Sequence, residues 1–490
     1  MKRSYLIPLA TVVALSTSAA IAEPIKIETR RELFTDDFLI ESLTNVTQTL
    51  HSPRDEGVAL KFDKPWEGKF SAYATVIKNG DLYQLYYRGH DESLPDGSDS
   101  ESTAYAESSD GIHWEKPSLG LFESHGTMDN NLVLAGQAPV THNFSPFLDA
   151  NPKVKPGSQY KALGGTMKSG LRAYRSPDGK KWSVIQEEAV IPNSLVENDF
   201  PYFFDSQNVS FWSEAENQYV CFFRVFKDKI RRIARTSSPD FIAWSKPVLM
   251  EYRHRGGEAP IEHLYTNQTH PYFRAPHLYL SIAARFMPGR QVLSDEQAKK
   301  VGVNPGYFKD TSDAIFMTTR PGSNYYDRTF LSSFVRPGIG AKNWVSRTNY
   351  PALNTVQTGP TEMSIYLNQD YAQPTAHLHR YSLRLDGFAS LRGDYAGGEM
   401  ITKPIQFSGD RLEINFSTSA AGGIQVELQD GSGTPYPGFT AEESIEQIGN
   451  EIARHVSWKG GDSVASLKGK TVRIRFLLKD ADLFSFRFAD

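Results

Sequence analysis

Four segments of the chain set a carboxylate beside amides, imidazoles or hydroxyls. They are His142-Asn143-Phe144-Ser145-Pro146-Phe147-Leu148-Asp149, Phe203-Phe204-Asp205-Ser206-Gln207-Asn208, Glu262-His263-Leu264-Tyr265-Thr266-Asn267-Gln268-Thr269-His270 and Thr358-Gly359-Pro360-Thr361-Glu362-Met363. Carboxylates among apolar strand residues are costly to bury unless they are paired or functional. Several of them turned toward one axis would repel and push their pKa values apart. Acid/base work on a glycosidic bond needs that outcome, with one carboxyl ionised and another protonated near neutral pH. Asp205, Glu262, Asp149 and Glu362 are therefore candidate catalytic carboxylates, with His263 as a candidate partner. His142, Gln207, Asn208, Gln268 and His270 have the donors and acceptors that hold sugar hydroxyls, and Arg88 and Arg285 could take a charged sugar.

These positions differ in weight. Asp149 precedes Ala150-Asn151-Pro152, a turn by composition, so capping is the stronger explanation of it. Asp205 lies in an apolar context where capping explains less, and Glu262 and Glu362 are not turn residues. His263 and His270 suit a satisfied core as well as a site. The basic run from Lys227 to Arg235 reads as a solvated strand edge. No Gly-rich phosphate loop, H-E-x-x-H pair or G-x-S-x-G elbow is present. A single cysteine, Cys221, excludes an intrachain disulfide and a multi-cysteine metal site.

Repeats position these segments. Ala104-Tyr105-Ala106-Glu107-Ser108-Ser109-Asp110-Gly111-Ile112-His113-Trp114 recurs as Ala173-Tyr174-Arg175-Ser176-Pro177-Asp178-Gly179-Lys180-Lys181-Trp182. It returns as Ile233-Ala234-Arg235-Thr236-Ser237-Ser238-Pro239-Asp240-Phe241-Ile242-Ala243-Trp244, with weaker copies at 315–322 and 381–388. Each copy is a strand entering a Ser/Asp turn, with a tryptophan to pack back on it. Another strand precedes each copy, such as Leu82-Tyr83-Gln84-Leu85-Tyr86-Tyr87 after the Asn79-Gly80-Asp81 turn. Five such units predict an all-β chain, a five-bladed β-propeller over 23–393. The starts of its inner strands would converge on one mouth. From Asp394 to 490 clean alternation, as in Leu412-Glu413-Ile414-Asn415-Phe416, predicts a small C-terminal β-sandwich with a supporting or sugar-binding role.

Composition narrows the class. Hydrophobic residues at 39% and aromatics at 12% describe a globular chain rich in sugar-stacking side chains, not a disordered one. Lys2 and Arg3, the apolar stretch from Tyr5 to Leu15 and Ala20-Ile21-Ala22 read as a signal peptide over 1–22, cleaved after Ala22. The stretch is too short for a membrane anchor. The protein is expected in the periplasm or medium. With a net charge of −4, neither nucleic acid nor membrane is an expected partner.

At Phe204-Asp205-Ser206-Gln207-Asn208, at Glu262 to Gln268 and at Leu33-Phe34-Thr35-Asp36-Asp37-Phe38-Leu39-Ile40-Glu41-Ser42 the sequence resembles the five-bladed propeller glycosidases. These are glycoside hydrolase families 32, 43, 68 and 117, and the likeness is closest to bacterial secreted family-32-like proteins. The resemblance implies that Asp205 orients the sugar and tunes pKa, and that Glu262 is the acid. It also implies a first-blade Asp, but the first inner strand reads Phe70-Ser71-Ala72-Tyr73-Ala74-Thr75-Val76. Asp63, Glu67, Asp149 or Glu362 could substitute, and the histidine acid of family 117 has counterparts in His254, His263 or His270. The Asn-Asp-Pro-Asn motif of family 32 is absent, which speaks against fructan as substrate. No cofactor is expected, although propeller glycosidases sometimes hold a structural calcium on the axis. The expected function is an exported, exo-acting glycoside hydrolase on a plant or algal glycan, with Asp205 and Glu262 across one pocket. The alternatives are a non-catalytic carbohydrate-binding propeller and a polysaccharide lyase acting on a uronate through Tyr/His chemistry and arginines.

Overall fold

The computed structural model describes residues 23–90 and 97–490, so the leader expected over 1–22 lies outside the described residues. The described chain is all-β apart from one short helix, Asp295–Val301, and a few 3-10 turns. No described helix is long and apolar enough to cross a membrane. Antiparallel sheets follow one another along the chain in a propeller-like arrangement. The first sheet joins Ala72–Asn79, Leu82–His90, Glu101–Ser108 and Leu132–Leu134 in chain order. The second joins Ser145–Leu148, Tyr160–Gly164, Arg172–Ser176 and Ser183–Val184. The third joins Val209–Ser213, Gln218–Lys227, Ile230–Ser238 and Val248–Leu249. Second strands such as Gln218–Lys227 are buried on both faces from Tyr219 to Val225, which is why they read as near-continuous apolar runs.

The repeated Ser/Asp segments fold as expected. Ser108, Ser176 and Ser238 each accept from the backbone N–H three residues on, at 2.9 Å. Asp110, Asp178 and Asp240 each accept from two successive N–H groups at 2.7–2.9 Å. The residue after each Asp has positive φ: 73° at Gly111, 76° at Gly179 and 69° at Phe241. Glycine is needed at Gly179 for packing as well, since a Cβ there would sit 2.2 Å from the Tyr86 hydroxyl. Trp182 and Trp244 donate to the carbonyls of Gly179 and Phe241 at 3.0 and 3.2 Å.

The next sheet is built on Ala275–Met287 and Thr311–Thr319, with Leu264–Thr266 and Thr269–Tyr272 both on the inner side. Its insertion carries the helix, capped reciprocally by Ser294 and Gln297. Leu293, Ala298 and Val303 of this insertion pack on Ala72, Tyr73 and Tyr371. The following sheet pairs Tyr350–Pro351 and Val356–Gln357 with Glu362–Gln369, then His377–Arg384. Its outer strand, Arg54–Lys61, comes from the N-terminal part of the chain. Val76 donates to the Leu353 carbonyl at 3.0 Å and Leu353 to that of Ala74 at 2.8 Å. The last inner segment is thereby tied to the first inner strand. Ala72–Asn79, Ser145–Leu148, Val209–Ser213 and Thr269–Tyr272 are successive neighbours around the axis. Inner segments kink at Tyr73, Phe204, Gln268 and Asn354, with φ of 54°, 65°, 49° and 76°, and such kinks re-aim side chains.

The C-terminal sheet has eight strands and begins at Ala389–Gly393. The expected short strands near 412–416 and 424–428 are one strand, Arg411–Gln429, and those near 472–476 and 484–488 are another, Arg473–Ala489. The two stay paired through a register shift between Thr418 and Gly423, so the apparent breaks are bulges. N-terminal segments join this region. Ile40–Thr44 pairs with Gly398–Thr402, Val46–Leu50 with Ala389–Gly393, and Ile25–Glu28 with Ile405–Phe407. Alternation within the N-terminal segments carries no sign of so distant a partner.

Candidate functional site

The inner strands start at one end of the axis, and charged groups from several sheets gather there. Asp205 stands at the start of the third inner segment, just after the kink at Phe204. Its side chain is 30% exposed and lines a cavity of about 290 Å³ with His142, Lys168 and Tyr202. Arg224, a charged residue in the apolar run Val220–Phe226, donates to Asp205, and His142 Nε2 lies 3.5 Å from Asp205 Oδ1. Burial would raise the Asp205 pKa, but His142 and Arg224 outweigh it and hold the carboxyl well below the usual range.

His142 is buried between two carboxylates. Its Nδ1 lies 3.1 Å from both Glu101 oxygens. Burial would strip its proton, but the hydrogen bonds to Asp205 and Glu101 push its pKa up to about 9. Arg88 completes the cluster, donating to Glu101 at 3.4 Å, to the Phe70 carbonyl at 2.8 Å and to the Tyr371 hydroxyl at 3.2 Å. Tyr202, 41% exposed beside Asp205, presents an aromatic face. Burial foremost, then Asp205, raises its phenol to about 12.

Arg224 links Asp205 to a group of tyrosines. Its guanidinium lies 4.2 Å from the Tyr265 ring centre, and it donates to the Tyr265 backbone carbonyl at 3.4 Å. Burial raises the Tyr265 pKa, yet Arg347 and Arg224 more than offset it and bring it below the ordinary value. Tyr350 packs on Tyr265 at 4.9 Å. Tyr73 sits at the start of the first inner strand, where the resemblance implies an Asp. Its ring is 4.8 Å from the Arg88 guanidinium and 5.7 Å from His142. Burial, then Tyr265, keeps the Tyr73 phenol protonated far above the ordinary value.

Other expected site residues lie elsewhere. Glu262 lines a different cavity of about 660 Å³ with Arg285, Asp313 and Trp344. It accepts from Arg285 at 3.1 Å and from Arg328 at 2.5 Å, and Arg285 grips Asp313 with two bonds of 2.9 and 2.7 Å. Asp205 and Glu262 therefore line different cavities. His263 accepts from the Arg231 N–H at 3.3 Å; burial, then Arg231, lowers its pKa. Asp149 stands at the opposite end of its inner strand, bonded to Lys161 at 2.6 Å and Tyr219 at 2.8 Å. Glu362 pairs with Arg380, and with Arg54 at 3.4 Å, beside a separate surface cavity.

Gln207 and Gln268 are buried on the axis. Gln268 donates to Gln207 at 2.5 Å and to the Pro351 carbonyl at 2.7 Å, and Gln207 donates to Thr75 at 3.1 Å. Asn208 is buried, with its amide on the Phe204 carbonyl at 3.3 Å. These amides tie inner segments to one another. His270 lines an apolar cavity of about 400 Å³ at the far end of the axis. For the calcium admitted by the resemblance, the axial groups are neutral amides and hydroxyls, the side-chain oxygens of Gln268 and Asn208 are buried without a hydrogen-bond partner, and no group of three or more His, Cys, Asp or Glu that could hold a metal occurs among the described residues.

Glu101, Arg224, Tyr265 and Arg347 were not singled out by sequence. Arg224 carried a signal, a cation inside an apolar strand. The basic run did not: Arg231 is half-buried against Phe226 and Phe286, at 5.0 and 4.8 Å, rather than solvated.

No family model matches the chain, and no curated protein matches it. It is similar to solved structures. One is a family 43 arabinoxylan arabinofuranohydrolase from Bacillus subtilis in complex with cellotetraose, at 11% identity and TM-score 0.40, covering 87% of this chain and 96% of that one. Another is the catalytic domain of a Coprinopsis cinerea family 62 alpha-L-arabinofuranosidase, at 9% identity and TM-score 0.38, covering 69% and 98%. A third is an N-acetylgalactosamine deacetylase from F. plautii in complex with blood group B trisaccharide, at 12% and TM-score 0.43, covering 69% and 96%. Likeness at this level assigns no activity.

Proposed function

We propose that the chain is an exported glycoside hydrolase, exo-acting on a plant or algal poly- or oligosaccharide, with its site at the mouth of a five-bladed propeller. In this reading the C-terminal sheet and its N-terminal strands form a β-sandwich in a supporting role. The carrying observation is Asp205, a part-exposed carboxylate kept ionised at the cavity by His142 and Arg224. Such a group supports positive charge developing on the sugar ring or activates water. Arg224 joins Asp205 to the buried Tyr265, whose ring centre lies 4.2 Å from the guanidinium, so that the tyrosine holds the arginine that positions Asp205. Tyr202 offers a stacking face, and His142 positions Asp205. The insertion packed over Ala72 and Tyr73 closes one side of the mouth, which favours attack at a chain end. The tie between Leu353 and Ala74–Val76 supports the five-blade count, and the leader pattern supports export.

The test is a screen of the mature protein against plant and algal glycans with product analysis. Hydrolysis yields a new reducing end that is lost in Asp205→Asn. An unsaturated, ultraviolet-absorbing product would make the chain a lyase, and binding without cleavage would make it a binding module.

A further inference from the structure

Several arginines near the mouth are held by a carboxylate. Arg224 has Asp205, and Arg285 has Asp313 and Glu262. Arg231 and Arg347 do not: among the described residues no carboxylate lies within ion-pair distance of either. Aromatic rings surround them instead. Arg347 lies 5.0 Å from the Tyr307 ring centre and 5.5 Å from that of Tyr265. Arg231 lies 5.1 Å from Tyr265 and 4.8 Å from Phe286. Two further polar atoms at this spot are buried without a hydrogen-bond partner, Arg231 Nε and the Tyr350 hydroxyl. Arg231 Nη1 has only His263 Nδ1, at 3.4 Å.

Arg231 and Arg347 are half-buried, and leaving half-buried cations and buried donors without partners is costly. Rings against the guanidinium faces recover part of the cost through cation–π attraction. They leave the in-plane N–H edges free, and those edges fit the fork of a carboxylate or the oxygens of a sulfate. Arg347 holds its place in the left-handed region, at φ 60°, a strain that fits a side chain set by function.

We propose that Arg231 and Arg347, with the Tyr350 hydroxyl, recognise an anionic substituent, a carboxylate or a sulfate ester, on the sugar that enters the mouth. This rests on the reading of the mouth as a sugar site and narrows it to charged glycans.

Calorimetric titration of the mature protein tests it, with D-galacturonate, D-glucuronate and D-galactose 6-sulfate against D-galactose and D-glucose. A charged sugar should bind at least about tenfold tighter than its neutral counterpart, the scale of one charge-assisted hydrogen bond. Whether uronate or sulfate is preferred identifies the source of the charge. Arg347→Gln and Arg231→Gln should each erase the preference, and near-ultraviolet circular dichroism shows which of them is folded. Lys468→Gln, in the C-terminal region and paired with Asp410, should keep it. Equal binding of charged and neutral sugars, no binding of any charged sugar at millimolar concentration, or a preference that survives both arginine substitutions would overturn the proposal. Cleavage separates the two readings. An active Asp205→Asn with the charge preference intact removes only the hydrolase role of Asp205. Cleavage of a neutral glycan with no charge preference removes only this inference.

Discussion

The two ends of the axis each bury a histidine, and they hold it in opposite states. At the mouth, His142 lies between Glu101 and Asp205 and keeps its proton to about 9. At the far end, His270 meets only backbone. Its Nδ1 lies 2.9 Å from the Gln268 carbonyl, and its Nε2 accepts from the Thr355 N–H at 3.1 Å. Burial pushes its pKa down to about 4. Both rings are similarly buried, so burial by itself does not set the charge. Carboxylate neighbours make the mouth a place where charge is stored, while backbone partners make the far end a neutral plug. The carboxylates follow the same division. Asp205 is part-exposed in a cavity, whereas Asp149, at the far end of its strand, is committed to Lys161 and Tyr219.

The sharpest break of this contrast is in rate. Asp205→Asn should lower turnover on a cleaved glycan by on the order of 10²–10⁴, while Asp149→Asn leaves turnover unchanged and appears only as a lower melting temperature. Steady-state kinetics on both variants decides it. An equal loss in the two would erase the distinction between the ends.

Glu101→Gln removes one of the carboxylates that charge His142. Breaking a buried pair costs roughly 3–5 kcal/mol, and the His142 imidazole should titrate well below about 9 by nuclear magnetic resonance. An unchanged titration would show that Asp205 suffices.

The pH dependence of stability should have a flank from each histidine. The folded pKa of His142 is above the unfolded value near 6.5. Its stabilisation, about 3 kcal/mol, is complete below 6.5 and is lost as pH rises through about 9. The folded pKa of His270 is below the unfolded value. Its contribution, of similar order, is complete above 6.5 and is lost as pH falls through about 4. Urea denaturation across this range should show the alkaline flank flattened in His142→Gln and the acid flank flattened in His270→Gln.

The smallest effect belongs to the stacking face. Tyr202→Ala should raise KM by up to about tenfold, the worth of one aromatic contact, with kcat nearly kept. A fall in kcat instead would assign Tyr202 to the chemistry.

The repeated turns were legible because their hydrogen bonds close within a few residues. Ser108 reaches Gly111, and Asp110 reaches Ile112 and His113, so residue type and spacing suffice. Asp205 stood out for a related reason, as a carboxylate in apolar surroundings with no turn to cap. The partners of these groups were not legible. Tyr73, His142, Arg224, Tyr265 and Arg347 come from different parts of the sheets and meet only because those sheets pack around one axis. Glu262 resembles a partner for Asp205 in sequence, yet Arg285 and Arg328 hold it beside another cavity. Arg54–Lys61 finds His377–Arg384 across more than half the chain. Local hydrogen bonding follows from a short window of residues. Convergence on an axis, and with it the charge of each buried imidazole, depends on how whole sheets pack, which no short window contains.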